Sequence, residues 1–279
     1  MHRRSSFLAL VALAVSGFLV GCGGTPIVGV MLPSTGAAAS YGGSIESGIN
    51  LALTEARDRG ALPEGFEVLW VDTASDPARA VEELRAMVAE RDVKLVIAGA
   101  TSAEALAIIP ELDDLDVVCL SPSASAPGLA KMSRMFFRIY PSDELEGHTA
   151  GTFLFEKLGK ERVVLMTGDT EYTRGILPEF LKQYEEALGG EVVGEVSLIE
   201  SDWRTTASAM LNDSALEAVY VIGYAEEILN VVLFLAERGY QGRIITTSAV
   251  YSGDILREAG PAAEGLMFPL PPFDLSLIH

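Results

Sequence analysis

Small hydroxyl residues and glycines recur in this chain at points where an apolar run gives way to a helical pattern. Pro33-Ser34-Thr35-Gly36 and then Ser40-Tyr41-Gly42-Gly43 follow the first run. Asp72-Thr73, Thr101-Ser102 and Ser121-Pro122-Ser123-Ala124-Ser125 follow the next three. Hydroxyls beside a helix start, where free N–H groups and the positive end of the dipole converge, suit a carboxylate or another oxygen-rich anion. Ser102 and Ser125 lie one helix–strand unit apart, which puts them on neighbouring connections of one rim. Thr101-Ser102-Ala103-Glu104 also fits a capping box. Taken singly, each hydroxyl serves equally well as a helix cap; the set on one rim points to a ligand. A second series follows: Gly168-Asp169-Thr170-Glu171-Tyr172, Gly223-Tyr224, and Ser248 with Tyr251 and Asp254 beyond it. Tyrosine rings there can wall an apolar group while their hydroxyls bind polar ones. Packing on the surface is the plain alternative for Tyr172 and Tyr224.

Other chemistries lack their residues. The chain has no G-x-S-x-G elbow, no H-E-x-x-H and no P-loop. With 3 His and 2 Cys it cannot build a four-cysteine zinc site, and no metal or cofactor is expected. Cys119, inside Val117-Val118-Cys119-Leu120, reads as a buried thiol. His148 sits in a helical stretch and reads as a surface or packing residue. No nucleophile–base pair stands out, so an enzyme is not expected. Asp and Glu number 39 against 20 Lys and Arg, a formal net charge of −19. Most of those acids therefore belong to solvated faces, and a chain this acidic is repelled by nucleic-acid backbones.

The elements that must position these residues alternate strand and helix. Strands are expected at Ile27–Leu32, Phe66–Val71, Lys94–Ala98 and Val117–Leu120, with an extended run at Met135–Tyr140. Helices are expected near Gly43–Arg59, from Asp76-Pro77 onward with Asp as cap and Pro in the first turn, and at Ala103–Leu112. The rhythm then restarts: helix Glu144–Leu158, strand Arg162–Met166, helix Arg174–Leu188, strand Glu191–Ile199, helix Thr205–Asn212, strand Ala218–Ile222, helix Glu226–Arg238, strand Arg243–Thr247, helix Gly253–Ala259 and strand Gly265–Leu270. The pattern predicts an α/β protein of two doubly wound parallel-sheet lobes joined by a hinge. At 279 residues the chain also has room for roughly two domains of about 150 residues.

The first residues read as an address. His2-Arg3-Arg4 is basic, and Phe7–Val20 is an apolar run too short to span a bilayer but right for a signal peptide. It ends in Leu19-Val20-Gly21-Cys22, which resembles the bacterial lipobox, where the cysteine is lipidated and the chain is cut before it. The expected organisation is a signal peptide at 1–21, a lipidated linker at 22–26, the first lobe at 27–140, the second at 141–266 and a return crossover at 267–279. The lipobox resemblance implies the periplasmic side of the cell envelope, lipid-anchored through Cys22 at either the inner or the outer membrane; no later segment is long and apolar enough to cross a membrane.

Taken in order, several segments resemble type I periplasmic binding proteins, in the branched-chain amino-acid (leucine/isoleucine/valine) branch of ABC importers. They are Ile27–Pro33 with the loop to Tyr41-Gly42, Ala100-Thr101-Ser102, Leu120–Ser125, Arg138-Ile139-Tyr140-Pro141-Ser142-Asp143, Tyr172-Thr173-Arg174-Gly175 and Val219–Glu227. The resemblance implies an extracytoplasmic solute-binding lipoprotein that presents an amino acid, or a related small carboxylate or amide, to a membrane permease after hinge closure. By the same resemblance Ser102 holds the ligand carboxylate, with Thr101 beside it, Ser123 lends backbone groups and Ser125 its hydroxyl. Tyr41 covers the ligand from the first loop, Tyr172 and Tyr224 close over it from the second lobe, and Asp143 sits at the hinge near the cleft. Two departures stand out. Members of this branch typically hold the ligand ammonium with an acidic residue where this chain has Ser248, and a buried unpaired ammonium is costly. Asp143 and Asp254 are the candidates to replace it. Members also continue well beyond this length, so the C-terminal part is expected to be missing. A different class of function follows from the same departures: an envelope lipoprotein that uses the fold as a protein-interaction module and transports no ligand.

Overall fold

The computed structural model describes residues 25–271. The expected signal peptide, Cys22 and the residues after Pro271 lie outside that range, as does the side chain of Asp254.

The first sheet takes β1 (Ile27–Leu32), β2 (Glu67–Asp72), β3 (Leu95–Ile97), β4 (Val118–Ser121) and β5 (Phe136–Arg138) in the order β2-β1-β3-β4-β5. All its pairings are parallel. The helices between them are α1 (Ala39–Asp58), α2 (Pro77–Arg91) and α3 (Ser102–Leu115). Alternation along β1 shows why both faces are covered. Met31 joins Leu84 of α2 and Ile108 and Leu112 of α3 in one core, while Val30 and Leu32 turn to the other face, toward Ile45 and Ile49 of α1.

The chain then crosses to α4 (Asp143–Thr152) and a second sheet. This sheet orders β6 (Arg162–Thr167), β7 (Glu191–Ser197), β8 (Ala218–Ile222) and β9 (Arg243–Thr246) as β7-β6-β8-β9, again all parallel. Its helices are α5 (Glu171–Leu181), α6 (Trp203–Met210), α7 (Ala225–Glu237) and α8 (Gly253–Ala259). Its core is aromatic, with Phe180 stacked on Tyr184 at 5.0 Å and tilted against Tyr220 at 4.7 Å. Both sheets wind the same way, so each reverses its winding beside its first strand, at β1/β3 and at β6/β8. Ligands of open α/β sheets bind beyond such switch points, at the carboxyl ends of the strands.

Several expected boundaries shift for local reasons. Helix α1 begins at Ala39, before Gly43, because Gly42 packs into the end of β1: a Cβ there would lie 2.2 Å from the Pro33 carbonyl oxygen. Helix α5 begins at Glu171, not Arg174, because Thr170 caps it and bonds Thr173. Helix α6 runs two residues earlier than expected at both ends. Helices α4 and α5 continue as π-turns at Phe153–Lys157 and Lys182–Ala187. The strand expected at Gly265–Leu270 reduces to one parallel bridge, Ile245 to Met267, since the backbone turns with positive φ at Gly265. Asp76 caps α2 as expected, accepting from the N–H groups of Ala78 and Arg79.

Candidate functional site

The first-lobe wall is built around the start of α3. Thr101 caps it, its side chain accepting from the Glu104 N–H while the Glu104 carboxylate accepts from the Thr101 N–H. The Thr101 hydroxyl is therefore engaged in the cap. Ser102 is buried, and its oxygen accepts from the N–H groups of Ser125 at 3.4 Å and Ala126 at 3.1 Å. Those bonds leave its own O–H to donate. Ser121 and Ser123 donate to the carbonyls of Gly99 and Ala100 at 2.7 and 2.5 Å. Arg138 donates to the Ala126 carbonyl at 2.9 Å. The Ser-rich loop after β4 is thus sewn to the loop before α3, and the first-turn N–H groups of α3 remain beside it. Asp72 holds the loop after β1 by accepting from Ser34 N–H, Thr35 N–H and the Thr35 hydroxyl. The Thr35 hydroxyl bond is the main reason its carboxyl stays below the ordinary value.

The second-lobe wall is aromatic. Tyr172, in the first turn of α5, stacks on Tyr224 at the start of α7, with centroids 5.1 Å apart and planes 21° apart. Tyr41 comes across from α1 of the first lobe and meets Tyr224 edge-on at 5.9 Å. Burial pushes all three hydroxyls up from their ordinary pKa, so they stay protonated.

Between the walls stands the start of α4. Asp143, in its first turn, is fully buried, and among the described residues neither oxygen of its carboxylate has a hydrogen-bond partner. Its N–H donates to the Ser125 carbonyl at 2.9 Å. Burial raises its pKa to about 8; the nearby Ser125 hydroxyl and the Arg138 guanidinium pull it down, and Glu146 pushes it up. One turn on, Glu146 is 8% exposed. It accepts from the Ser248 N–H at 2.7 Å and the Ser248 hydroxyl at 2.9 Å, with the Tyr172 hydroxyl at 3.4 Å. Burial raises its pKa, and the Ser248 bonds oppose that rise. Tyr140 donates to the Ser248 oxygen at 3.0 Å.

The structure thus gathers Tyr41, Ser102, Ser125, Asp143, Tyr172, Tyr224 and Ser248 at one junction of the two lobes. Thr101 and Ser123 stand at its edge with their hydroxyls turned to the backbone. Tyr251, expected beyond Ser248, is exposed and lies against Phe268. Glu146 and Tyr140 were not anticipated. The only sequence signal for Glu146 is its i+3 spacing from Asp143, which puts both on one helix face. Cys119 is a buried thiol held against the Ala98 carbonyl, and burial pushes it up to about 12. A surface hollow of about 560 Å³ lies on the outer side of α4 and α5, lined by Ser142, Leu145, His148 and Lys182 among others, and it includes none of the cleft residues.

Two like-wound sheets with buried polar groups where their lobes meet invite comparison with known proteins. Residues 26–277 match the family described as periplasmic binding protein. The chain belongs to that family. This periplasmic binding protein is 25% identical over 268 residues to Leu/Ile/Val-binding protein homolog 1 of Brucella suis, covering 95% of this chain and 72% of that one. It is 26% identical to the leucine-, isoleucine-, valine-, threonine- and alanine-binding protein of Pseudomonas aeruginosa, covering 93% and 70%. Among solved structures it resembles the branched-chain amino-acid substrate-binding protein LivJ of Streptococcus pneumoniae in complex with isoleucine. That match has a TM-score of 0.81 and 26% identity, over 88% of this chain and 70% of that one. A Rhodopseudomonas palustris solute-binding protein in complex with 3,4-dihydroxybenzoic acid matches with a TM-score of 0.75 at 24% identity, over 85% and 66%, which shows the fold. The type I architecture expected from the sequence is the one found.

Proposed function

We propose that this periplasmic binding protein is the solute-receiving lipoprotein of an ABC importer and binds an amino acid or a related small carboxylate or amide in the cleft. The observation that carries the reading is the contact of Tyr41 from one lobe with Tyr224 from the other, above a floor of buried polar groups. Such walls suit a small molecule with an apolar side and polar ends. The Ser102 hydroxyl and the start of α3 take the ligand carboxylate, the three tyrosines enclose its side chain, and the lobes close over it about the crossover after β5. Lipid on Cys22 would keep the protein near the membrane, where the closed form is presented to a permease.

Thermal unfolding of the protein, screened against amino acids, short amides and small carboxylates, tests the reading, because a ligand that binds only the folded state raises the melting temperature. A shift with one class supports it. A cooperative melt that no compound moves supports the interaction-module reading instead. Ser102→Ala is expected to weaken binding of the active compound roughly 10-fold or more, as loss of a hydrogen bond to a charged group would; unchanged affinity would sink the carboxylate assignment.

A further inference from the structure

Ser248 stands just after β9, at the carboxyl end of a second-lobe strand. The fold brings acids to the same place from another element. Ser248 is the residue on which Glu146 is seated, by two bonds of 2.7 and 2.9 Å. The Tyr140 hydroxyl donates to Ser248, and Ser248 donates onward to Glu146. That relay orients the carboxylate as an acceptor. A carboxylate has about four lone-pair sites, and Ser248 and Tyr172 supply three donors to it. Asp143, on the same face of α4, is wholly buried and unpartnered among the described residues. The guanidinium closest in effect, Arg138, donates to backbone carbonyls of the Ser-rich loop. Tyr41, Tyr172 and Tyr224 stand within the electrostatic reach of Asp143, and aromatic faces attract cations.

We propose that Glu146, fixed by Ser248, and Asp143 form a cation-recognising end of the cleft, so that the ligand must carry an ammonium group. This rests on the solute-binding reading above and narrows it: an amino acid is taken, and the corresponding acid without the amine is refused. Burial disfavours the charged form of both carboxyl groups until a cation joins them. A ligand ammonium supplies that cation and donates to the oxygens that lack partners. An anion such as benzoate brings negative charge to groups whose charged form burial already disfavours.

Calorimetric titration of the purified protein separates the possibilities. The probes are L-isoleucine with 3-methylpentanoate, L-alanine with propanoate, and benzoate, against the natural chain and Glu146→Gln. The expected result is that at least one amino acid binds, its des-amino partner and benzoate bind at least roughly 100-fold more weakly, and Glu146→Gln weakens the amino acid roughly 30-fold or more. Binding of a des-amino acid or benzoate as tight as that of the amino acid would overturn the proposal and leave the solute-binding reading standing. Unchanged amino-acid affinity in Glu146→Gln would do the same. No heat from any of the five compounds would overturn both. Asp143→Asn guards against a variant that merely unfolds: it removes a buried ionisable group, so above about pH 8, where that carboxyl is charged, its melting temperature is expected to rise over that of the natural chain while amino-acid affinity falls. A fall in both would mark the carboxylate as structural and overturn the assignment.

Discussion

Asp143 shows how one residue can weaken a fold and make a site. Its carboxyl is held up to about 8 chiefly by burial, above its value of about 4 in an unfolded chain. An acid shifted in that direction contributes stability in its neutral form. The contribution is complete below about pH 4 and is lost as pH rises through about 8. The groups facing it are Glu146 on its own helix, Arg138 at the end of β5, the Ser125 hydroxyl, and Tyr41, Tyr140, Tyr172, Tyr220 and Tyr224. The tyrosines, raised by burial, stay neutral in this window, and Glu146 is the acid that pushes the Asp143 carboxyl further up. The melting temperature of the protein without ligand is expected to fall between pH 5 and about 8 more steeply than that of Asp143→Asn. Parallel curves for the two proteins would show that Asp143 ionises freely.

At the scale of elements, α4 decides where both carboxylates go. The same buried face is pressed onto α5: a Cβ on Gly147 would lie 2.7 Å from the Ile176 carbonyl oxygen and 2.8 Å from the Phe180 nitrogen. Those are backbone atoms of a helix and cannot swing aside. Gly147→Ala is therefore expected to push α4 away from α5 and cost about 1–3 kcal/mol of stability, read by urea denaturation. Because Glu146 precedes Gly147, the same shift should loosen its bonds to Ser248 and weaken ligand binding as well. A variant as stable as the natural protein would mean that the two helices have slack. The close packing also explains why Asp143 and Glu146 are buried while Glu144 and Leu145, on the other side of α4, are exposed.

At the scale of the whole molecule, the contact between Tyr41 and Tyr224 exists only when the lobes are together. A side chain that bonds the closed form acts mainly on the rate of release. Tyr41→Ala is expected to lower affinity about 10-fold, consistent with loss of an aromatic pair and its buried area, and to do so by faster dissociation in stopped-flow measurements. A slower association rate with unchanged dissociation would place Tyr41 on the entry path instead. Gly175 marks a second close approach, since a Cβ there would meet Pro127 at 2.7 Å and Asp143 at 3.1 Å. The second lobe thus touches the Ser-rich loop and the crossover acid at one point.

The order of strands and helices was legible in the sequence because local signals set it. Runs of β-branched residues mark the strands, Asp76 and Thr101 announce their caps, and the period-2 alternation of Val30, Met31 and Leu32 covers both faces of a sheet. The hydroxyl rim was legible for the same reason, since a residue just after a parallel strand must lie at its carboxyl end. The partner of Ser248 was not. Glu146 is 102 positions away from it and sits in Asp143-Glu144-Leu145-Glu146, one acidic stretch among many in a chain of 39 acids. Nothing local separates a solvated carboxylate from a buried one. That depends on how α4 crosses between the lobes and how close α5 lets it lie. The sequence by itself determined the elements, their winding and the rim they share; the tertiary structure alone decided which charges are taken out of water, because burial and pairing are properties of the assembled lobes.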